Sequence, residues 1–173
     1  MTINPTGRIL QRLGGVDIVI TRLIRGTVDD VWASVTESER TARWIGRWEG
    51  EAAPGNTIRV QWTFEEGAAW TDARIESCTA PTFLSLTVGD AADPWLLDLT
   101  LIDRGERTEL TLTQHRADAG GAGEIGPGWE YYLDNLIASR ENTALPDFDD
   151  YYPELKSYFE DQAQVVNASS ESH

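Results

Sequence analysis

The chain has 173 residues, the length of one domain with its own hydrophobic core. Its 29 acidic and 14 basic residues give a formal net charge of −15, the wrong sign for a protein that binds the phosphates of a nucleic acid. The single cysteine, Cys78, excludes an intramolecular disulfide, and only two histidines accompany it, so we expect no metal site, no cofactor and no nucleic-acid partner.

No apolar run approaches the roughly 20 residues that a membrane-spanning helix needs. The first residues, MTINPTGRILQRLGG, lack the apolar core of a signal peptide. We therefore expect a cytoplasmic protein without a membrane span.

The N-terminal half is predicted to contain a β-hairpin followed by two short helices. Apolar segments at residues 7–13 and 16–25 are joined by Gly14-Gly15, and paired glycines allow both turn residues a positive φ. Thr27 with Asp30 three residues later resembles a capping box and predicts a helix start. A second short helix is expected at residues 37–44.

Five strands are predicted next. In residues 58–64 apolar and polar side chains alternate, which places Ile58, Val60, Trp62 and Phe64 on one face. The other strands are expected at residues 70–78, 82–88, 95–103 and 107–115. Because only short turns separate them, neighbouring strands should pair antiparallel.

A long helix is predicted from Gly128 onward. Its apolar side chains recur with helical spacing at Trp129, Tyr132, Leu133, Leu136 and Ile137. It should end before Pro146, since the residue that precedes a proline disfavours the helical conformation. The order of elements predicts an α+β fold in which helices cover one face of an antiparallel sheet.

The C-terminal segment is acidic but rich in aromatic residues. We expect residues 142–164 to dock on the body, so that residues 1–164 form a single domain. Residues 165–173 are expected to be a frayed tail.

Three features of the sequence resemble a cofactor-binding motif or a catalytic residue. Residues 121–126 match the GxGxxG pattern, but no strand follows as a dinucleotide fold requires, so we interpret residues 120–128 as a flexible loop. Whether this loop acts as a lid stays open. His115 has no second catalytic group nearby in sequence, which favours a structural or ligand-contacting role. Cys78 is interpreted as an unreactive small side chain on a strand.

The seven tryptophans are the strongest functional signal. Wide aromatic rings line many apolar pockets, and their N–H groups supply a few polar contacts. The alternative is a tryptophan-rich core without a cavity. Spacing alone does not decide between them.

Four segments together resemble a known superfamily: TVDDVWASVT at residues 27–36, RWIG at 43–46, LTLTQH at 110–115 and GWEYYLDNL at 128–136. They are similar to the START-like helix-grip (SRPBCC) superfamily, and most of all to its bacterial AHSA-like branch, the homologues of the activator of the 90-kDa heat-shock protein ATPase. The resemblance covers residues 16–141, most of the chain.

The resemblance implies a strongly curved, seven-stranded antiparallel sheet wrapped around the long C-terminal helix, with an apolar cavity between them. It places the ligand-binding residues at Trp44, Trp48, Trp62, Trp95, Gln114, Trp129, Tyr132, Leu133 and Leu136. The superfamily has no shared catalytic set, so no catalytic residue is expected.

Three functions are compatible with this resemblance. The first is non-catalytic binding of a small hydrophobic or amphipathic molecule. The second is a cochaperone or stress-response adaptor, although the eukaryotic cochaperone has a separate chaperone-binding domain for which this chain is too short. The third is a cyclase-like enzyme for polyketides or a dehydratase-like enzyme, in which Gln114, His115 or Tyr132 polarises the ligand. A homodimer through exposed sheet edges also stays open.

Overall fold

A computed structural model describes residues 3–171. Within them one antiparallel sheet contains eight strands: β1 (Arg8–Arg12), β2 (Gly15–Arg25), β3 (Trp48–Glu49), β4 (Thr57–Gln61), β5 (Trp70–Thr79), β6 (Phe83–Val88), β7 (Trp95–Asp103) and β8 (Arg107–Arg116). The same residues form four α-helices: α1 (Val28–Thr36), α2 (Ser38–Thr41), α3 (Ala122–Glu141) and α4 (Lys156–Glu171). The α+β class is confirmed.

The sheet order is β1-β2-β8-β7-β6-β5-β4-β3, so the first hairpin joins the last strand of the meander. The expected count of seven strands is wrong by one. The additional strand is β3, which adds two residues at the edge of the sheet and pairs Trp48 with Val60. A strand this short carries too little alternation to be visible in the sequence.

Strand alternation places one row of side chains on the inner face of the sheet. Leu110, Leu112 and Gln114 of β8 are all buried, and Leu112 lies between Ile20 of β2 and Leu99 of β7 in the pairing register. These three side chains therefore face the core. The long helix α3 begins after β8 and packs through Trp129, Leu133 and Leu136 into this core.

The predicted strand at residues 58–64 ends earlier than its alternation indicated. β4 stops at Gln61, and the Trp62 N–H instead donates to the Ala69 carbonyl and closes a loop over residues 62–69. Gly67 and Ala68 both adopt a positive φ in this loop. The turn therefore begins while the apolar pattern still continues.

The glycine-rich segment is helical rather than a flexible loop, which corrects the earlier interpretation. α3 starts at Ala122, so Gly123 and Gly126 belong to its first turns. A Cβ at Gly126 would lie 2.5 Å from the Phe159 ring of α4. The glycines therefore allow two helices to approach closely, a requirement that depends on residues more than 30 positions away.

Within residues 142–164, Tyr151 contacts α3 and helix α4 contacts both α3 and β1, whereas residues 142–145 are exposed. Tyr151, Leu155 and Phe159 are buried, and the Tyr151 hydroxyl donates to Asp134 Oδ2 over 2.7 Å. The tail expected to fray from residue 165 instead continues α4 to Glu171. Val166 explains part of this difference, because it follows Phe159 at helical spacing and is buried beside it in the core. Residues 172 and 173 of that predicted tail lie outside the described residues.

Candidate functional site

A cavity of about 240 Å³ lies between the sheet and the helices. Helices α1, α2 and α3, the segments that follow α2 and β3, and strands β3 to β8 contribute its walls. Aliphatic side chains cover the sheet side, among them Ile58, Ile75, Leu84, Leu97, Leu99 and Leu112. Five tryptophans also line the cavity: Trp32, Trp44, Trp48, Trp62 and Trp129.

Five of the nine ligand-binding residues expected from the resemblance line this cavity: Trp44, Trp48, Trp62, Trp129 and Leu133. Trp62 reaches it from the loop after β4 rather than from a strand. Trp32, Thr36 and Cys78 also line the cavity but were not predicted to do so. Trp32 and Thr36 lie four residues apart on α1, so helical spacing places them on the same side of the helix, and this spacing could have indicated that both face the cavity.

The other four expected residues lie outside the lining. Trp95 packs edge-on against Trp129 with ring centroids 6.1 Å apart, and Tyr132 contacts Trp129 at 5.9 Å. Gln114 and Leu136 are fully buried. Trp95, Gln114 and Tyr132 therefore support the ring of Trp129, while Leu136 belongs to the packed core.

The indole N–H groups of three wall residues are occupied by the protein itself. Trp44 Nε1 donates to the Ser34 carbonyl over 2.9 Å, Trp48 Nε1 donates to the Thr36 carbonyl over 2.8 Å, and Trp129 Nε1 donates to Gln114 Oε1 over 2.7 Å. These bonds fix the rings. They also leave no free N–H on these three tryptophans for a molecule in the cavity.

Among the described residues, no Asp, Glu, Lys, Arg or His side chain lines the cavity. Apart from the tryptophans, the polar side chains of its lining are Thr36, Thr41 and Cys78. The Nε2 amide of Gln114 is buried without a hydrogen-bond partner. Gln114 does not line the cavity, however, and contacts the wall residue Trp129 through its Oε1. The cavity can therefore hold apolar surface but offers little to a charged group.

Tyr132 connects α3 to the loop at residues 62–69. Its hydroxyl donates to Glu65 Oε2 over 2.8 Å, and its ring contacts Trp62 at a centroid distance of 6.1 Å. Burial raises the pKa of Tyr132, and the neighbouring Glu65 carboxylate raises it further, so the hydroxyl remains a donor. This bond holds the loop that carries Trp62 beside the cavity.

His115 points away from the cavity, because it follows the inward-facing Gln114 on β8. Its Nδ1 lies 2.7 Å from Asp17 Oδ1 and its Nε2 lies 2.8 Å from Asp98 Oδ2. Desolvation lowers the pKa of His115, but the hydrogen bonds with Asp98 and Asp17 outweigh it, and the net pKa is raised. The arrangement is a bridge across β2, β8 and β7 that is charged when the imidazole is protonated.

No group of His, Cys, Asp and Glu side chains in residues 3–171 has the geometry to hold a metal ion. None of the helices formed by these residues combines the length and the apolar character needed to cross a membrane.

Solved structures share this fold. The protein encoded by gene BPP1335 from Bordetella parapertussis is 24% identical, with a TM-score of 0.73 over 91% of this chain and 90% of that one. CalU16 from Micromonospora echinospora is 21% identical, with a TM-score of 0.67 over 95% and 96% of the two chains. DynU16, a protein in the dynemicin biosynthetic locus, is 19% identical with a TM-score of 0.64, and the match covers 79% of this chain but 50% of DynU16.

No curated protein matches the sequence. The family model described as Activator of Hsp90 ATPase homolog 1-like protein matches residues 25–139, more than half of the chain. Together with the helix-grip architecture, this match confirms the resemblance found in the sequence: the chain belongs to the family of Activator of Hsp90 ATPase homolog 1-like proteins.

Proposed function

We propose that this protein binds a small, uncharged hydrophobic molecule in the cavity between the sheet and α3. The observation that carries the proposal is the cavity of about 240 Å³ walled by tryptophan rings and aliphatic side chains. An apolar cavity of about 150 Å³ in another protein accommodates benzene. A cavity of this size therefore suits a molecule of one or two fused rings.

The polar groups around the cavity support an uncharged ligand. Trp44, Trp48 and Trp129 use their indole N–H groups within the protein, and no charged side chain of the described residues lines the cavity. A buried charge without a partner is strongly unfavourable, so the cavity should reject carboxylates of the same shape. Affinity then comes from burial of apolar area and from ring contacts.

The proposal is binding without turnover. General acid–base catalysis needs a titratable group within hydrogen-bond reach of the reacting atom. Of the three residues considered for such a role, His115 is on the outer face of the sheet, and Gln114 and Tyr132 are outside the lining. None of these three residues can therefore act as a proton donor or acceptor for a molecule in the cavity, whose lining is mainly a surface for binding.

The test uses two leucines that are neighbours in β7 but face opposite sides of the sheet. Leu97 lines the cavity, whereas Leu96 is 41% exposed. Naphthalene and its carboxylate analogue, naphthoate, are titrated against the full chain by ligand-observed NMR. We expect saturable binding of naphthalene and much weaker binding of naphthoate.

The substitution Leu97→Trp places a large ring in the cavity and should weaken naphthalene binding by more than about tenfold, a change of about 1.4 kcal/mol. The matched control Leu96→Trp adds the same ring outside and should bind as the unmodified chain does. Absence of saturable binding, or equal binding by the Leu97→Trp and Leu96→Trp variants, would refute the proposal.

A second function, interaction with a chaperone, is favoured by family membership and by the net charge of −15. An acidic surface attracts a basic partner through forces that salt screens. A pull-down with the 90-kDa chaperone should therefore recover the partner at low salt and lose it at high salt. Absence of the chaperone at low salt would contradict this second proposal.

A further inference from the structure

A polar pocket of about 140 Å³ lies where α1, the end of α2 and the C-terminal end of α3 meet. Three arginines line it, namely Arg40, Arg43 and Arg140, together with the carboxylate of Asp30 and the hydroxyl of Ser34. Such a concentration of guanidinium groups is unexpected in a chain with twice as many acidic as basic residues.

The positive charges of this pocket are only partly neutralised. Asp30 accepts hydrogen bonds from Arg140 Nη2 over 2.8 Å and from Arg40 Nη1 over 3.2 Å. Arg40 also pairs with Glu37, where Nε lies 3.1 Å from Oε2. The carboxylates of Asp30 and Glu37 thus pair with Arg40 and Arg140. Within the described residues, the exposed Arg43 guanidinium has no hydrogen-bond or ion-pair partner, so the cluster has an unpaired positive charge.

Arg140 contributes a second unsatisfied group. Its side chain is only 13% exposed, and its Nη1 and Nη2 donate to Ser34 Oγ over 2.6 Å and to the Arg25 carbonyl over 2.8 Å. Its Nε is buried and has no partner. A buried donor of a charged group without an acceptor is unfavourable.

We infer that this polar pocket binds a small oxyanion, either a carboxylate or a phosphate group, with Arg43 as its principal partner. The planar guanidinium group presents two parallel N–H donors that match the oxygens of either anion. A single unpaired guanidinium group favours one negative charge. The oxyanion site is separate from the hydrophobic cavity and does not depend on the ligand proposed for it.

Ser34 connects the two places. Its hydroxyl accepts from Arg140, while its backbone carbonyl accepts the indole N–H of Trp44, a wall residue of the cavity. An oxyanion that draws Arg140 toward it should therefore change the environment of the Trp44 indole N–H. That signal can report occupancy of the polar pocket.

The experiment titrates the full chain with sodium phosphate and, separately, with sodium acetate at constant ionic strength, and uses sodium chloride as the reference. Two-dimensional NMR spectra follow the backbone amide of Arg43 and the indole N–H of Trp44. We expect saturable shifts of both signals with at least one oxyanion and not with chloride. The arm that saturates at lower concentration identifies a phosphate or a carboxylate as the preferred group.

The variant Arg43→Gln removes the unpaired guanidinium group and leaves the bonds of Asp30 intact. It should weaken oxyanion binding by at least about tenfold, the effect of one charge-assisted hydrogen-bond pair. Arg8→Gln is the matched control, since Arg8 is also exposed and the same charge is lost on β1. If neither oxyanion gives saturable shifts, or if Arg43→Gln and Arg8→Gln have equal effects, the inference is refuted.

Discussion

The Tyr132 hydroxyl donates a hydrogen bond of 2.8 Å to the Glu65 carboxylate, and this contact joins α3 to the loop between β4 and β5. The loop carries Trp62, which lines the hydrophobic cavity. Whether the loop expected at residues 120–128 acts as a lid stayed open from the sequence, but residues 122–128 form the start of α3. The loop at residues 62–69 is instead attached to α3 by this hydrogen bond and by the contact between the Trp62 and Tyr132 rings.

Tyr132→Phe should loosen that loop without disturbing the ring packing. The phenyl ring keeps its contacts with Trp62 and Trp129, while Glu65 loses its donor. We expect hydrogen exchange of the Ala68 and Trp62 amides to become several-fold faster and the free energy of unfolding to fall by about 1 kcal/mol. Exchange measured by mass spectrometry or NMR checks this. Tyr152→Phe is the control, and equal exchange in the two variants would contradict the assigned role.

His115 predicts a pH dependence of stability. Desolvation lowers its folded-state pKa, but the hydrogen bonds that Asp98 and Asp17 accept from the imidazolium outweigh it, and the net pKa is raised above the ordinary value. The folded state therefore binds more protons than the unfolded state between the two pKa values. The stabilisation is complete below about 6.5, the unfolded-state pKa. It is lost as the pH rises through the higher folded-state pKa.

Urea unfolding at a series of pH values from acidic to alkaline should show this loss in the unmodified chain. In His115→Ala the decline of the free energy of unfolding across the same window should be smaller, because the imidazole with the raised pKa is removed. An NMR titration of the ring protons gives the folded-state pKa directly. A pKa at or below that of an unstructured histidine would exclude the charged bridge to Asp17 and Asp98.

How far the sequence predicts this molecule depends on the range of the interactions involved. The bounds of β7, Trp95–Asp103, agree with prediction, because alternation and the flanking turns are local signals. β4 was extended too far because Trp62 and Phe64 continue the alternation after the chain has turned. A two-residue strand such as β3 arises from pairing with β4 and leaves no local pattern.

The candidate site shows the same difference between features with a signal in the sequence and features that arise only from tertiary packing. A family resemblance located Trp44, Trp48, Trp62, Trp129 and Leu133, which line the cavity. It did not separate them from Trp95 and Tyr132, since a ring that faces a cavity and a ring that supports it have the same helical or strand spacing. The polar pocket was not predicted at all. Arg140 is distant in sequence from Arg40 and Arg43, and only the approach of α3 to α1 and α2 brings them together.

The bond between Gln114 and Trp129 predicts a non-additive pair of substitutions. Gln114→Leu leaves the buried Trp129 N–H without an acceptor, and Trp129→Phe leaves Gln114 Oε1 without a donor, so each alone should cost about 1–3 kcal/mol. The double variant removes both polar partners and should lose less stability than the sum of the single losses. Urea unfolding of the four proteins gives the coupling energy. Additive losses would show that the bond contributes nothing to stability.

Two glycines of α3 should respond to alanine in opposite directions. A Cβ at Gly126 would lie 2.5 Å from the Phe159 ring, whereas a Cβ at Gly128 meets nothing within 4 Å. Alanine is the better helix former, so Gly128→Ala should stabilise the protein by up to about 1 kcal/mol. Gly126→Ala should instead destabilise it by about 1–3 kcal/mol, because α4 must move away from α3. Thermal unfolding of the two variants checks this, and combining Gly126→Ala with Phe159→Leu should recover part of the loss. If Gly126→Ala were as stabilising as Gly128→Ala, the close packing of α4 on α3 would not exist in solution, and the explanation of the glycine-rich segment would fail with it.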